Sequence, residues 1–175
     1  MKVLVAVATR HGSAAEIAQD LAEALRSRLP DGSFEVLPAA RVDDVTRYDA
    51  VILGSEVPGG RWLAEARRVA AVIAGGPSRA VWLFSSGPVD APLRAARLRP
   101  ELDDIIAATG AREHRFFAGR MDHDRGRFQD GSVLLALQVA AHTLADWDEV
   151  DAWGARIAAE LSRPAAVAEP FRARV

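Results

Sequence analysis

Three segments rich in glycine and hydroxyl side chains each follow an apolar run. They are ATRHGSA (8–14), GSEVPGGRW (54–62) and SSGPVD (85–90). In the first, Gly12 permits a tight turn, and a helix that follows it would present unpaired N–H groups and the positive end of its dipole. With the hydroxyls of Thr9 and Ser13, these groups predict a cradle for a phosphate. The competing interpretation is an ordinary helix cap, because strand-to-helix turns often carry glycine and serine.

The first segment lacks the signatures of several other phosphate-binding proteins. A dinucleotide fingerprint needs three glycines spaced as G-x-G-x-x-G, and only Gly12 is present. A Walker loop needs a glycine–lysine pair, and a response-regulator receiver needs a lysine late in the chain, whereas the single lysine here is Lys2. The pattern that remains is a single-glycine turn, which suits a mononucleotide.

The elements that must position these segments alternate between two periodicities. Short apolar runs predict strands at 2–8, 33–37, 50–54, 79–85 and 112–118. Apolar residues at helical spacing predict helices from about residue 13 and over 61–74, 101–109 and 148–161. This alternation predicts an α/β fold, a doubly wound three-layer sandwich whose five-stranded parallel sheet has the order 2-1-3-4-5. The three segments would then meet at the carboxyl ends of strands one, three and four.

Length and composition limit the function classes. The 175 residues, 50% of them hydrophobic, predict one domain over 1–163 and a mobile tail at 164–175. A net charge of −2 argues against a nucleic-acid partner. The chain has no cysteine, so thiolate chemistry is excluded and redox chemistry needs a bound cofactor. No apolar run approaches the roughly 18 residues of a membrane span, so we expect no integral membrane segment and a cytoplasmic location.

Other groups of polar residues do not indicate metal or hydrolase chemistry. Asp122, His123 and Asp124 are adjacent on a predicted loop and point in different directions, so they indicate a solvated loop. No G-x-S-x-G elbow is present that would make His11 and Ser13 part of a hydrolase site. The sequence therefore predicts no metal site and assigns no side chain a catalytic role.

With these features in view, the chain resembles the flavodoxin-domain family, and within it the branch of menaquinone-dependent protoporphyrinogen dehydrogenase. The matching stretches run in family order over nearly the whole chain: VLVAVATRHGSAAEIAQDLAEAL, YDAVILGSEVPGGRWLAEARR, the SSGP turn, FAGRMD and DWDEVDAWGARIAAEL. The resemblance implies a flavodoxin-like domain that binds FMN. It also implies an electron carrier or a quinone-linked reductase, whose redox partner is a protein or a quinone.

The resemblance also assigns residues to the cofactor. The turn for the FMN phosphate comprises Thr9, Arg10, His11, Gly12, Ser13 and Ala14. The two loops beside the isoalloxazine ring comprise Ser55, Glu56, Val57, Pro58, Gly59, Gly60 and Trp62, then Ser86, Gly87, Pro88, Val89 and Asp90. For Trp62 two interpretations are open: its indole stacks on the ring, or it packs in the core.

The chain departs from the family pattern at the first turn, which usually reads [ST]-x-T-G-x-T. His11 and Ala14 stand where the family carries threonine, and Pro58 stands where the second loop often carries a bulky residue. The alternative interpretation is a flavodoxin-fold module that has lost FMN binding and serves in protein interaction or binds another ligand. The segment 119–147, which is longer in the dehydrogenase branch, has no strongly basic patch, and its residues 133–141 are apolar enough for a helix.

Overall fold

A parallel sheet forms the centre of the molecule. The computed structural model describes residues 1–87, 92–118 and 133–163, with side chains described at 1–87, 100–117 and 147–163. Within these residues the strands are β1 (Lys2–Ala8), β2 (Ser33–Pro38), β3 (Ala50–Glu56), β4 (Ala80–Gly87) and β5 (Glu113–Ala118). Their order is β2-β1-β3-β4-β5 and every pairing is parallel, which confirms the predicted doubly wound sheet.

Two strands extend further than the sequence predicts. β3 continues past residue 54 and β4 past residue 85, because Ser55 pairs with Ser85 and Glu56 pairs with Ser86 in unbroken register. Backbone pairing thus carries polar residues that have the composition of a loop. As a correction to the sequence prediction, Ser55, Glu56, Ser86 and Gly87 are strand residues rather than loop residues.

The helices are α1 (Ser13–Arg28), α2 (Ala64–Ala74), α3 (Pro92–Thr109) and α4 (Val133–Leu161). The helix predicted at 101–109 begins at Pro92, and Pro100 lies inside it. The helix predicted at 148–161 and the apolar run at 133–141 belong to one element, α4, because no helix-breaking residue separates them. Within the described residues, no helix is long and apolar enough to cross a membrane. The predicted tail at 164–175 lies outside the described residues.

Both faces of the sheet are covered by helices. One face packs on α1 and α4 through Val5, Ile52, Trp82 and Phe84, and the other packs on α2 and α3. This double burial explains why the strands read as continuous apolar runs instead of alternating patterns. On the first face, Phe84 makes an edge contact with Trp153 of α4 at 6.3 Å between ring centroids. The core therefore reaches directly beneath the carboxyl ends of β3 and β4.

Gly54 is required where β3 passes the ring of Phe84. A Cβ atom at Gly54 would lie 2.0 Å from Phe84 Cζ, and that ring is fully buried. Gly54→Ala should therefore lower the free energy of unfolding by about 1–3 kcal/mol, as overpacking does elsewhere. Urea denaturation monitored by circular dichroism measures this loss.

Gly75→Ala is the matched control, since its Cβ would meet the nearest atom, the Ala71 carbonyl oxygen, at 3.5 Å. It should change the free energy of unfolding by less than about 0.5 kcal/mol. Equal losses in the two variants would contradict the packing argument.

Candidate functional site

The ends of three strands lie side by side at one end of the sheet. Ala8 of β1 pairs with Ser55 of β3, and Glu56 pairs with Ser86 of β4. We call this end, formed by residues 8–14, 55–63 and 86–87, the carboxyl edge. The first two predicted segments and the described beginning of the third therefore meet there.

A glycine with a left-handed backbone begins the first helix at this edge. Gly12 has φ 96° and occupies the N-cap position of α1, and no side chain caps the helix. The first helical bond runs from the Glu16 N–H to the Gly12 carbonyl at 3.1 Å. The N–H groups of Ser13, Ala14 and Ala15 consequently have no acceptor within the helix. They carry the positive end of the α1 dipole to the carboxyl edge.

The turn at 9–12 holds an anionic group of the chain itself, the carboxylate of Glu56. The Thr9 hydroxyl donates to its Oε1, and the Arg10 N–H donates to its Oε2 at 2.8 Å. The His11 N–H reaches Oε1 at 3.1 Å and Oε2 at 3.3 Å, and His11 Nδ1 lies 3.2 Å from Oε2. Since Glu56 is only 5% exposed, these groups replace most of the water around the carboxylate.

These contacts determine the charge of Glu56. Burial alone raises the pKa of this carboxyl group, but the hydrogen bonds from Thr9, Arg10 and His11 outweigh burial and lower the pKa below its ordinary value. Glu56 is therefore ionised at neutral pH. The donors of the 9–12 turn hold an internal anion, the Glu56 carboxylate.

Two serines face each other beside this turn. Ser13 Oγ at the start of α1 lies 3.2 Å from Ser86 Oγ on β4, and Ser86 is fully buried. Ala14, in contrast, turns its methyl group into the core and contributes no polar side chain. The hydroxyls at the edge thus come from α1 and β4 together.

The second segment folds back onto the sheet. The Ser55 hydroxyl donates to the Glu56 carbonyl at 2.7 Å and accepts the Leu63 N–H at 2.9 Å. Pro58–Gly60 forms a short 3₁₀ turn in which Pro58 and Gly59 are exposed and Gly60 is buried. The exposed part of this segment is consequently short, and the Ser55 hydroxyl is engaged within it.

The structure decides between the two interpretations of Trp62. Its side chain is 2% exposed and belongs to the core cluster on the α2 and α3 face. The indole N–H donates to Ser85 Oγ at 2.8 Å, and the backbone N–H donates to Glu101 Oε2 at 3.1 Å. Trp62 therefore packs in the core and anchors the second segment.

The third segment is described only at its beginning. Val57 is buried, its N–H donates to the Ser86 carbonyl at 3.0 Å, and a Cβ atom on Gly87 would lie 2.7 Å from Val57 Cγ2. The predicted site residues Pro88, Val89 and Asp90 lie outside the described residues, as does the cluster at 122–124. Among the described residues, no group of three or more metal-ligating side chains is present.

Beneath the second segment lies a polar pair that the sequence does not indicate. Ser85 Oγ lies 2.9 Å from His114 Nε2 on β5. Because Ser85 already accepts the Trp62 indole N–H, its own proton is available for donation to the imidazole. Burial lowers the pKa of His114 to about 4, while the carboxylate of Glu113 acts in the opposite direction. No local motif could reveal this contact, since 29 residues separate the partners.

Comparison with known proteins connects this architecture to one family. A family model described as a flavodoxin domain matches residues 4–135. No curated protein matches the sequence.

Several solved structures resemble the chain over most of its length. A flavodoxin from Streptococcus pneumoniae has a TM-score of 0.65 and 16% identity, and the match covers 91% of this chain and 99% of that one. Flavodoxin 2 from Bacillus cereus has a TM-score of 0.64 and 17% identity, with 91% and 99% covered. An azoreductase from Bacillus anthracis has a TM-score of 0.63 and 10% identity, with 89% and 99% covered. At these identities the structures establish a shared fold.

The neutral state of His114 makes stability depend on pH. Its pKa is about 4 in the folded chain against an ordinary value of 6.5, so the unfolded chain binds a proton that the folded chain resists. The free energy of unfolding should therefore fall between about pH 6.5 and about pH 4, by at most about 3 kcal/mol. Urea denaturation at several pH values measures the slope.

His114→Gln keeps an oxygen that accepts the Ser85 hydroxyl but has no titrating group. We expect this variant to lose most of the slope in that window. The lowered pKa of Glu56 affects stability at lower pH, because protonation of a carboxylate with a lowered pKa costs stability only below its ordinary range. Identical slopes above about pH 4.5 in the two proteins would refute the assignment to His114.

Proposed function

This chain belongs to the flavodoxin domain family, and on that premise we propose that it binds FMN at the carboxyl edge and acts as a redox protein. The observation that carries the proposal is the uncapped start of α1 behind left-handed Gly12. N–H groups and a helix dipole directed at one point suit a phosphate monoester, which carries negative charge and several acceptor oxygens. The donor set at this edge therefore fits the phosphate of FMN.

The proposal gives each part of the carboxyl edge a binding role. The N–H groups of Ser13 and Ala14 would hold the phosphate, with the hydroxyls of Ser13 and Ser86 beside them. Pro58 and Gly59, which are exposed in the second segment, would lie against the flavin ring. The third segment, from Gly87 onward, would complete the ring site.

Bound FMN would supply the electron or hydride transfer itself. The chain's part is to bind, to orient and to limit water. Val57, buried against Gly87, presents an apolar surface between the second and third segments. Backbone groups at 57–60 would adjust the electron affinity of the ring. No side chain is assigned the role of a general acid or base.

A titration with FMN tests the proposal. We expect the purified protein to perturb the visible spectrum of FMN and to quench its fluorescence. Gly12→Asp should weaken FMN binding by about threefold or more, because a carboxylate beside the phosphate adds like charge at close range. Aspartate tolerates positive φ better than most residues, so this variant should remain folded.

Gly110→Asp is the matched control. Gly110 also has positive φ, 63°, and open space around its Cβ position, but it lies between α3 and β5 at the opposite end of the sheet. It should bind FMN as the parent chain does. Absence of binding at about 50 µM FMN, or an equal loss in the two variants, would overturn the proposal.

Within this function we propose an electron carrier or a quinone-linked reductase. The resemblance to the menaquinone-dependent dehydrogenase branch supports a quinone as electron acceptor. When the FMN-loaded protein is reduced without oxygen and mixed with a soluble quinone, we expect the flavin to be reoxidised at a rate that saturates with quinone concentration. A rate that stays proportional to quinone and equals that of free reduced FMN would argue for the electron carrier. In a separate experiment without oxygen, failure of protoporphyrinogen to reduce the oxidised FMN of the loaded protein would reject the dehydrogenase activity.

One observation favours a second candidate, a flavodoxin-fold module that binds no FMN and serves in protein interaction. The carboxylate of Glu56 already takes the hydroxyl of Thr9 and the N–H groups of Arg10 and His11. A phosphate that used those donors would have to displace it.

A further inference from the structure

We propose that Glu56 determines the ligand specificity of the flavin site, because its carboxylate competes with the phosphate of FMN for the 9–12 turn. The inference rests on the proposed function and goes further by naming which flavin the site accepts. If an internal anion occupies the phosphate position, the chain gains little from the phosphate of FMN. It should then bind riboflavin, which has the same ring and ribityl chain without phosphate, nearly as well.

Most hydrogen-bond donors of the 9–12 turn are already paired within the chain. The Glu56 carboxylate accepts the Thr9 hydroxyl and the N–H groups of Arg10 and His11, which are three of the donors that a phosphate in this turn would use. The Gly12 N–H is also occupied, since it donates to Thr9 Oγ1 at 2.8 Å. Among the described N–H groups of this turn, those at the start of α1 stay open to a ligand.

The negative charge of Glu56 also opposes a phosphate at this turn. A phosphate on those open N–H groups would lie beside an ionised carboxylate, and like charges at short range inside a protein repel strongly. His11 Nδ1 contacts Glu56 at 3.2 Å, but that imidazole is largely exposed, and Arg10 contributes its backbone rather than its guanidinium. Within the described residues, no lysine or arginine side chain pairs with Glu56. Among the described side chains, the negative charge of the carboxylate is therefore not balanced by a paired lysine or arginine.

The Glu56 side chain is held in place at the end of β3. Glu56 is a β3 residue whose backbone is held by its register with Ser86, and its side chain is only 7% exposed. Rotating the carboxylate into solvent would break its hydrogen bonds with the N–H groups of Arg10 and His11, which would then pair with water or with a ligand. An incoming phosphate thus has to regain those hydrogen bonds before it adds any affinity. The competition should persist throughout the neutral pH range.

The test compares FMN and riboflavin on the full chain and on Glu56→Gln, by calorimetry and by the visible spectrum of the flavin. We expect the parent chain to bind the two flavins with affinities within about threefold of each other. Glu56→Gln keeps an acceptor oxygen but removes the charge, so it should tighten FMN binding about tenfold or more and leave riboflavin binding unchanged. Glu56→Ala, which removes the carboxylate entirely, should change the FMN-to-riboflavin ratio in the same direction.

Glu35→Gln is the charge-matched control. It removes one negative charge from β2, the edge strand, where Glu35 pairs with Leu4 midway along β1, away from the 9–12 turn. This variant should keep the parent's ratio. Thermal unfolding followed by circular dichroism shows whether each variant is folded.

The outcomes separate the specificity of the site from its function. If the parent chain prefers FMN by about a hundredfold or more and Glu56→Gln does not increase that preference, the inference is wrong while the proposed function stands. If only Glu56→Gln binds FMN and the parent chain binds no flavin, the inference holds and the proposed function fails. If no variant binds any flavin, both fail, because removal of the carboxylate has opened no phosphate site.

Discussion

The carboxyl edge depends on one buried carboxylate. Glu56 lies at the end of β3, and its side chain reaches the turn that follows β1. There the carboxylate accepts hydrogen bonds from one hydroxyl and two backbone N–H groups. This one acceptor pairs with several converging donors of the turn, and a hydrogen bond to a charged group contributes about 1.5–3 kcal/mol. The contact therefore connects the end of β3 to the turn before α1 and places a negative charge beside that turn.

A second set of contacts holds the neighbouring segment against the same edge. Ser55 connects the end of β3 to Leu63, while Ser85 accepts the indole N–H of Trp62 and faces His114. These serines lie on strands rather than on loops, so the sheet itself positions the polypeptide that follows. Because Trp62 is buried by this anchoring, the exposed residues of the segment are Pro58, Gly59 and Arg61. Recognition of a ring there would fall to backbone groups rather than to an aromatic side chain.

Much of the fold follows from the sequence because its physical causes are local. Strands buried on both faces appear in the sequence as continuous apolar runs, and amphipathic helices appear as apolar residues at helical spacing. The alternation of these two patterns implies parallel strands joined by crossover helices. The strand ends were less predictable, since Ser55 and Glu56 continue a register that their polar character does not reveal. The sequence does not predict that α4 is one helix over Val133–Leu161, because its apolar first part and its more polar second part differ in composition. At the site, Gly12 and its hydroxyl neighbours were visible, but the pairing of Glu56 with Thr9 joins residues 47 apart and follows only from the folded sheet.

The same carboxylate links stability to affinity. A group that satisfies the N–H donors of the turn stabilises the chain without a ligand, and a ligand that needs those donors must first displace it. The affinity for such a ligand would then be the intrinsic affinity reduced by the population of the state in which the turn is free. In a turn that carries a hydroxyl or a small side chain opposite its donors, no such competition arises, and the phosphate supplies the missing acceptors itself. A glutamate at the end of β3 therefore changes the site from one completed by its ligand to one already completed by the chain.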